Sequence, residues 1–368
     1  MEKSCEVAVI GGGIIGCSIA YHLAKEKVNT ALLESGTIGG KATNAAAGML
    51  GAHSECDDME VFFPFARNSQ LAYRKYAKDL REISGIDIRL TTGGIIKLAY
   101  TKEELKEQST LLLLPSVEPL SLSEIKDRIP DINNAVIGGV YIADDVHVHP
   151  LQTCRAFARS SMRLGAHIYE NTPVVDIKKE GTGFLIRTPS GDIKASYVVI
   201  AAGIWSGKFL EAAGISHRMT PVKGQCMAVR GEGMVLDQTL FHKHSYVVPR
   251  SDGTLVIGAT MEEDDWSESP TVGGITQITQ LAEKFFRNPR DMKVDAIWTG
   301  LRPATFDKKP YIGFHPENRK IIFATGHFRN GILLAPATGK MVSRMILGKE
   351  IKKEWLEAFK VDRLLNLV

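Results

Sequence analysis

Cysteine is scarce and poorly placed for chemistry in this chain of 368 residues. The five present (Cys5, Cys17, Cys56, Cys154 and Cys226) are odd in number and widely spread, with no C-x-x-C pair. That excludes a recognisable zinc site or disulfide framework and favours a reducing compartment. An excess of one charge is also lacking. Lys+Arg 45 against Asp+Glu 42 leaves a net charge of +3, too small for a nucleic-acid groove. The longest uncharged run, Val7 to Ala24, is no membrane span: it contains Gly11, Gly12, Gly13 and Gly16, and it follows Glu2, Lys3 and Glu6 rather than a basic flank. Repeats, low-complexity tracts and linkers are absent. The chain reads as soluble and cytoplasmic, without nucleic-acid or membrane partners.

What is present is ordinary globular material, 44% hydrophobic and 24% charged. The length suggests two or three domains, and folding at this size removes roughly three-quarters of the unfolded surface from water. The first fifty residues read strand, glycine turn, helix, strand. Glu6 to Ile10 is a short apolar run suited to a buried parallel strand. Ile14 to Lys25 carries Ile15, Ile19 and Leu23 on one helical face, and Ala31 to Glu34 is the next strand. Helical patterns follow near Phe65–Leu80, Lys102–Glu107 and Leu151–Leu164. Two hairpins stand out, Phe184–Thr188 into Ile193–Ile200, and His244–Arg250 into Leu255–Thr260. A late strand, Ile321–Ala324, precedes a last helix expected from about Pro336 to Leu347, since proline is tolerated in a first turn. The fold class is therefore α/β, with two units woven together.

Gly11-x-Gly13-x-x-Gly16 lies between the first strand and helix, and Glu34 ends the second strand. One glycine makes the tight turn, one admits a pyrophosphate to the backbone, and one lets helix and strand pack closely. The helix N-terminus offers free N–H groups to phosphate, and the strand-end carboxylate accepts from ribose hydroxyls. This is a dinucleotide site. Tyr197 to Gly203 is a strand ending in small residues, as many FAD-binding proteins place beside the dinucleotide. Lys41 to Met49 is a small-residue stretch that lets backbone approach a flat ring.

Together with Gly300-Leu301-Arg302-Pro303 and Gly326-His327-Phe328-Arg329-Asn330-Gly331, these segments resemble the D-amino-acid oxidase family of flavoproteins, over nearly the whole chain. Within that family the similarity is greatest to members that oxidise glycine. The resemblance implies a glutathione-reductase-type FAD-binding Rossmann domain, from 1–84, 144–218 and 300–368. An antiparallel-sheet substrate domain, from 85–143 and 219–299, would be interleaved with it. Noncovalent FAD would contact Ile14, Ile15, Glu34, Ser35, Ala42, Thr43, Ala47, Gly48, Met49, Val174 and Gly203. The segment His327, Phe328, Arg329, Asn330, Gly331, Ile332 and Leu333 would border the isoalloxazine. The family's monomeric sarcosine oxidases hold flavin on a cysteine in the C-terminal half, and this chain has none after Cys226.

The resemblance also implies that Tyr246, Arg302 and Arg329 meet the substrate, with Met49 beside them. A guanidinium matches a carboxylate bidentately, and a phenol adds one donor. No protein general base is needed, because flavin performs the redox step. The implied reaction is oxidation of glycine, sarcosine or small D-amino acids with oxygen as acceptor, by a homotetramer supplying an imine for thiamine's thiazole ring. A sarcosine oxidase, a flavin dehydrogenase with another acceptor and a catalytically inert FAD-binding module are the rival readings. A two-residue turn at Asp252-Gly253 would set Tyr246 opposite Ala259, and His244 opposite Met261. His244 and Met261 would then wall the substrate pocket. His147-Val148-His149 and His242-Lys243-His244 lack a third ligand, so no metal is expected. Glu262 to Asp265 reads as a solvated acidic loop.

Overall fold

The computed structural model describes residues 3–55, 58–215, 219–233 and 235–363. Its first sheet has eight strands. The strand Lys3–Ile10 lies at the centre, flanked in parallel by Thr30–Leu33 and Ile193–Ile200. Outside these, His167–Tyr169 and Ile321–Thr325 add in parallel, and Tyr311–Phe314 pairs antiparallel at the edge. The central strand is apolar because both faces are covered. Val7 and Val9 enter one core with the helices Ile14–Lys25 and Gly331–Ile346, while Ala8 and Ile10 enter another. The expected hairpin of Ile193–Ile200 forms with Gly183–Arg187, pairing Phe184 with Ala195.

A second sheet of nine strands is mostly antiparallel, and its order places Thr220–Arg230 against Leu255–Gly258 and Lys293–Ala304. One face packs on the helix Val272–Phe285 through Met227, Val247, Ile257, Ile278 and Phe285. The opposite face carries Tyr246 and Cys226. The strand Lys293–Ala304 runs without a break across position 300. Its last residue, Ala304, bridges to His327 ahead of the final long helix, which ties the two sheets together.

Two expectations fail here for identifiable reasons. The hairpin pairs Tyr246 with Gly258 and Pro249 with Leu255, one residue away from the expected register. Ser251, Asp252 and Gly253 all lie in the loop. Arg250 N–H donates to Thr254 O, Gly253 N–H donates to Arg250 O, and Gly253 sits at φ +83°. This is the three-residue loop closed by a left-handed glycine. Tyr246 therefore opposes a residue without a side chain, and the strand stops before Ala259 and Met261.

The last helix begins at Gly331, not near Pro336, so the proline lies inside it. Pro336 has no N–H for the carbonyl of Ile332, four residues earlier. The hydroxyl of Tyr73, from the helix Phe62–Ser84, donates to that carbonyl instead. Ser69 Oγ accepts from Ala337 N–H at 3.1 Å, and Ser18 Oγ donates to Ala335 O at 2.7 Å. Side chains from neighbouring helices thus satisfy the backbone around the proline. No local sequence signal predicts that compensation.

Candidate active site

A cavity of about 830 Å³ runs between the two sheets. Its volume falls within the roughly 300–1,000 Å³ of ligand sites, towards the upper end. At one end lie Gly11, Gly13, Ile14, Ile15, Glu34, Ser35 and Val174, and at the other Met49, Tyr246, Arg302 and Arg329.

The glycine-turn end has the build of a dinucleotide site. Gly11 turns at φ +109°, and a Cβ there would lie 2.5 Å from Ala201 O. A Cβ at Gly16 would meet Gly11 O at 1.9 Å, so this glycine sets the helix-to-strand distance. Gly13 differs: the nearest atom to its would-be Cβ is Thr43 Oγ1 at 3.5 Å, which leaves room for a ligand against the backbone. These are the three separate glycine roles of a dinucleotide turn. Glu34 is fixed at the rim, its Oε2 accepting from Gly12 N–H at 2.6 Å and its Oε1 from Gly36 N–H at 2.7 Å. Ala42, Thr43, Ala47, Gly48 and Gly203 line the middle of the cavity.

At the far end the helix Gly331–Ile346 presents its N-terminus, with Gly331 and Ile332 on the cavity wall. The first N–H groups of a helix have no intrahelical partner, and the dipole there favours negative charge. His327 and Phe328 also line the cavity. His327 is buried, and its ring contacts Thr338 Oγ1 through Nε2 at 3.0 Å. Burial pulls its pKa down to about 3, so the imidazole is neutral and structural.

The wall around Tyr246 follows from strand pairing. Cys226 and Tyr246 both oppose Gly258, so the three lie in one row across three strands. Opposed residues share a face, and so do residues two apart. Gly224 therefore lies on the face of Cys226. Arg302, paired with Val222, is Gly224's diagonal neighbour. The side chains of Tyr246 and Arg302 both rest on glycines. A Cβ at Gly258 would sit 2.7 Å from Tyr246 Oη, and one at Gly224 would sit 2.3 Å from Arg302 Nη2. Tyr246 Oη lies 3.3 Å from Cys226 Sγ, and burial raises the pKa of both groups, so both stay protonated. Arg302 Nη1 donates to the neutral carbonyl of Thr260 at 3.2 Å.

Several expected site residues stand elsewhere. His244 is exposed in the turn before the strand Ser245–Pro249, and neither it nor Met261 lines the cavity. The one-residue change of register removes the expected pairing of His244 with Met261. His244 touches the site through its carbonyl, which accepts from Arg329 Nη1 at 3.3 Å. Gly16, Asn330 and Leu333 support the cavity without lining it: Gly16 packs the turn, Asn330 caps the last helix and Leu333 is core.

The acidic run is more than solvated loop. Glu262 and Asp265 ion-pair with the fully buried Lys223, at 3.5 and 2.9 Å. Gln225 and Thr260 both donate to Glu262 Oε1. The run thus anchors the segment whose Thr260 carbonyl holds Arg302. His147 Nδ1 meets Thr239 Oγ1 at 3.1 Å, and His149 Nδ1 accepts from Gln152 N–H at the start of the helix Pro150–Arg163. Glu55, which no sequence motif marks, lines the cavity and ion-pairs with Arg329 at 2.8 Å. No helix among the described residues is long and apolar enough to cross a membrane.

Comparison with known proteins agrees with this geometry. The FAD dependent oxidoreductase family profile (DAO) matches residues 6–345. Glycine oxidase of Bacillus subtilis (strain 168) is 48% identical over 363 residues, covering 99% of this chain and 98% of that one. Glycine oxidase of Bacillus licheniformis is 50% identical over 363 residues, with the same coverage. The crystal structure of glycine oxidase from Geobacillus kaustophilus superposes with a TM-score of 0.92 at 36% identity, covering 96% of this chain and 98% of that chain. With the glycine turn, the fixed Glu34 and the cavity they open onto, these matches establish that the chain belongs to the DAO family of FAD-dependent oxidoreductases.

Proposed function

We propose that this protein oxidises glycine and small relatives such as sarcosine and small D-amino acids, with oxygen as the electron acceptor. The observation that carries this reading is the row formed by Tyr246, Gly258 and Cys226 beside Arg302 on Gly224, at one end of a cavity whose other end is built for a dinucleotide. The guanidinium takes the substrate carboxylate as a planar fork, and the protonated phenol adds a donor. FAD, when bound, supplies the two-electron acceptor and returns the electrons to oxygen. The protein's own part is to anchor, orient and exclude.

No acid–base residue is assigned. The buried imidazole of His327 is neutral, and Tyr246 holds its proton. An amine presented in its neutral form loses one hydride, which carries both electrons, and one proton to solvent, and the resulting imine hydrolyses in water. Overall, glycine, oxygen and water yield glyoxylate, ammonia and hydrogen peroxide. The imine is also a precursor suited to thiamine's thiazole ring. We place the enzyme in the cytoplasm as a homotetramer, by analogy with its family. The FAD-binding part comprises 1–84, 144–218 and 300–368, and the substrate part 85–143 and 219–299.

The test is oxygen consumption by purified, FAD-loaded protein supplied with glycine, sarcosine, D-alanine, D-proline and a panel of L-amino acids. Glycine and sarcosine should lead. Flavin reduction without oxygen uptake would favour a dehydrogenase with another acceptor. No flavin reduction by any amine would overturn the proposal.

A further inference from the structure

Among the described residues, three charged side chains line the cavity near Tyr246: Arg302, Arg329 and Glu55. Two of them cancel. Glu55 Oε2 lies 2.8 Å from Arg329 Nε, and the side chains are only 9% and 10% exposed. Arg302 has a neutral carbonyl as its hydrogen-bond partner. Among the described residues lining this part of the cavity, Arg302 is thus a guanidinium bonded to a neutral carbonyl, a match for one carboxylate.

The carboxylate of Glu55 is firmly placed. Its backbone N–H donates to Gly51 O at 3.2 Å, closing a turn directly after the short strand Met49–Leu50. That turn is tied to the wholly buried Asp145, which accepts from Ser54 N–H at 2.7 Å, from His53 Nδ1 at 2.7 Å and from Gln70 Nε2 at 2.7 Å. Lys97 Nζ donates to Ser54 O at 3.2 Å from the second sheet. A buried hydrogen-bond network thus holds the turn that carries Glu55 against the cavity wall. Charged groups so held discriminate by like-charge repulsion as well as by attraction.

We propose that Glu55 sets the charge selectivity of the site, restricting it to amines with a single carboxylate and rejecting those with a second anionic group. A dianionic substrate such as iminodiacetate or D-aspartate would need a second guanidinium. Arg329 is the candidate in the cavity, and Glu55 engages it. This inference rests on the proposal that the cavity takes small amino acids.

The experiment compares binding of acetate and malonate to the oxidised holoenzyme, followed by flavin absorbance, in wild type and in Glu55→Gln. Wild type should bind malonate more weakly than acetate. The Gln variant keeps size and an acceptor oxygen but loses the charge. Its malonate-to-acetate affinity ratio should rise at least tenfold, and its kcat/KM ratio for iminodiacetate over glycine should rise in parallel. Glu55→Asp, which keeps the charge, should retain the wild-type preference. Wild type that binds malonate as tightly as acetate would overturn the inference without any variant. So would a FAD-loaded Gln variant with an unchanged ratio. Failure of glycine to reduce wild-type flavin would instead overturn the proposed function, and the acetate–malonate comparison would still report on Glu55.

Discussion

Gly224→Ala separates the anchoring of substrate from the stability of the fold. The new Cβ would lie 2.3 Å from Arg302 Nη2, 2.4 Å from Nη1 and 2.5 Å from Cζ. Ordinary contact is about 3.5 Å, so the guanidinium must retreat by about 1 Å. It is the far end of a flexible side chain, and no backbone atom is among the three nearest neighbours. The strand pairing of Gly224 with Gly300 should survive. A displacement of this size misaligns a charge-assisted hydrogen-bond pair worth roughly 1.5–3 kcal/mol. At 1.4 kcal/mol per tenfold, the dissociation constant for acetate and the KM for glycine should rise by roughly 10- to 150-fold. Flavin absorbance titration with acetate gives the first, and oxygen uptake with glycine gives the second. FAD content and the far-ultraviolet spectrum should stay native. Wild-type affinity in a variant whose guanidinium has demonstrably moved would refute the assignment of Arg302 as the carboxylate anchor.

Other outcomes follow from the same geometry. Arg302→Ala should raise the KM for glycine by a similar or larger factor while the visible flavin spectrum stays nearly native; unchanged kinetics would mean that the carboxylate is held elsewhere. Acid precipitation should release yellow FAD into the supernatant, because Cys226, on the cavity wall, is the last cysteine of the chain; flavin retained on washed, denatured protein would contradict this. Tyr73→Phe orphans the Ile332 carbonyl beside Pro336 and should cost about 1–3 kcal/mol in urea unfolding, and a loss below measurement would show that the carbonyl finds another partner. Acid should destabilise the protein well before its carboxylates titrate. Burial lowers His22 and His147 to about 4 and His327 to about 3, whereas an unfolded chain protonates histidine near 6.5. The unfolded state then binds more protons, so stability is full above about pH 6.5 and falls as pH drops towards 4. An unfolding midpoint that is the same at about pH 7.5 and about pH 5 would rule this out.

Local chemistry determined the dinucleotide half of this protein. A glycine turn between an apolar strand and a helix, with a carboxylate ending the next strand, works through neighbours in sequence and through the steric needs of single residues. The helix Ile14–Lys25 accordingly forms where its periodicity predicts, Gly11 turns and Gly16 packs helix on strand, and Gly13 and Glu34 stand on the cavity. Arg302 and Tyr246 were legible as residue types suited to a carboxylate, and through the family resemblance. Only the tertiary structure decided how they meet. The hairpin register turned on Asp252 keeping a negative φ while Gly253 is left-handed, a choice of the three-residue loop over the two-residue type I′ turn. That choice placed a glycine opposite Tyr246 and left His244 and Met261 outside the cavity. Pro336 sits within a helix because Tyr73 and Ser69, on a different helix, satisfy the backbone around it. Glu55 and Arg329 are 274 positions apart, and their pairing depends on the buried Asp145 network and on two sheets closing over one cavity. A contact of that separation leaves no periodicity or spacing in the chain, because the forces that create it act only once the fold has brought its partners together.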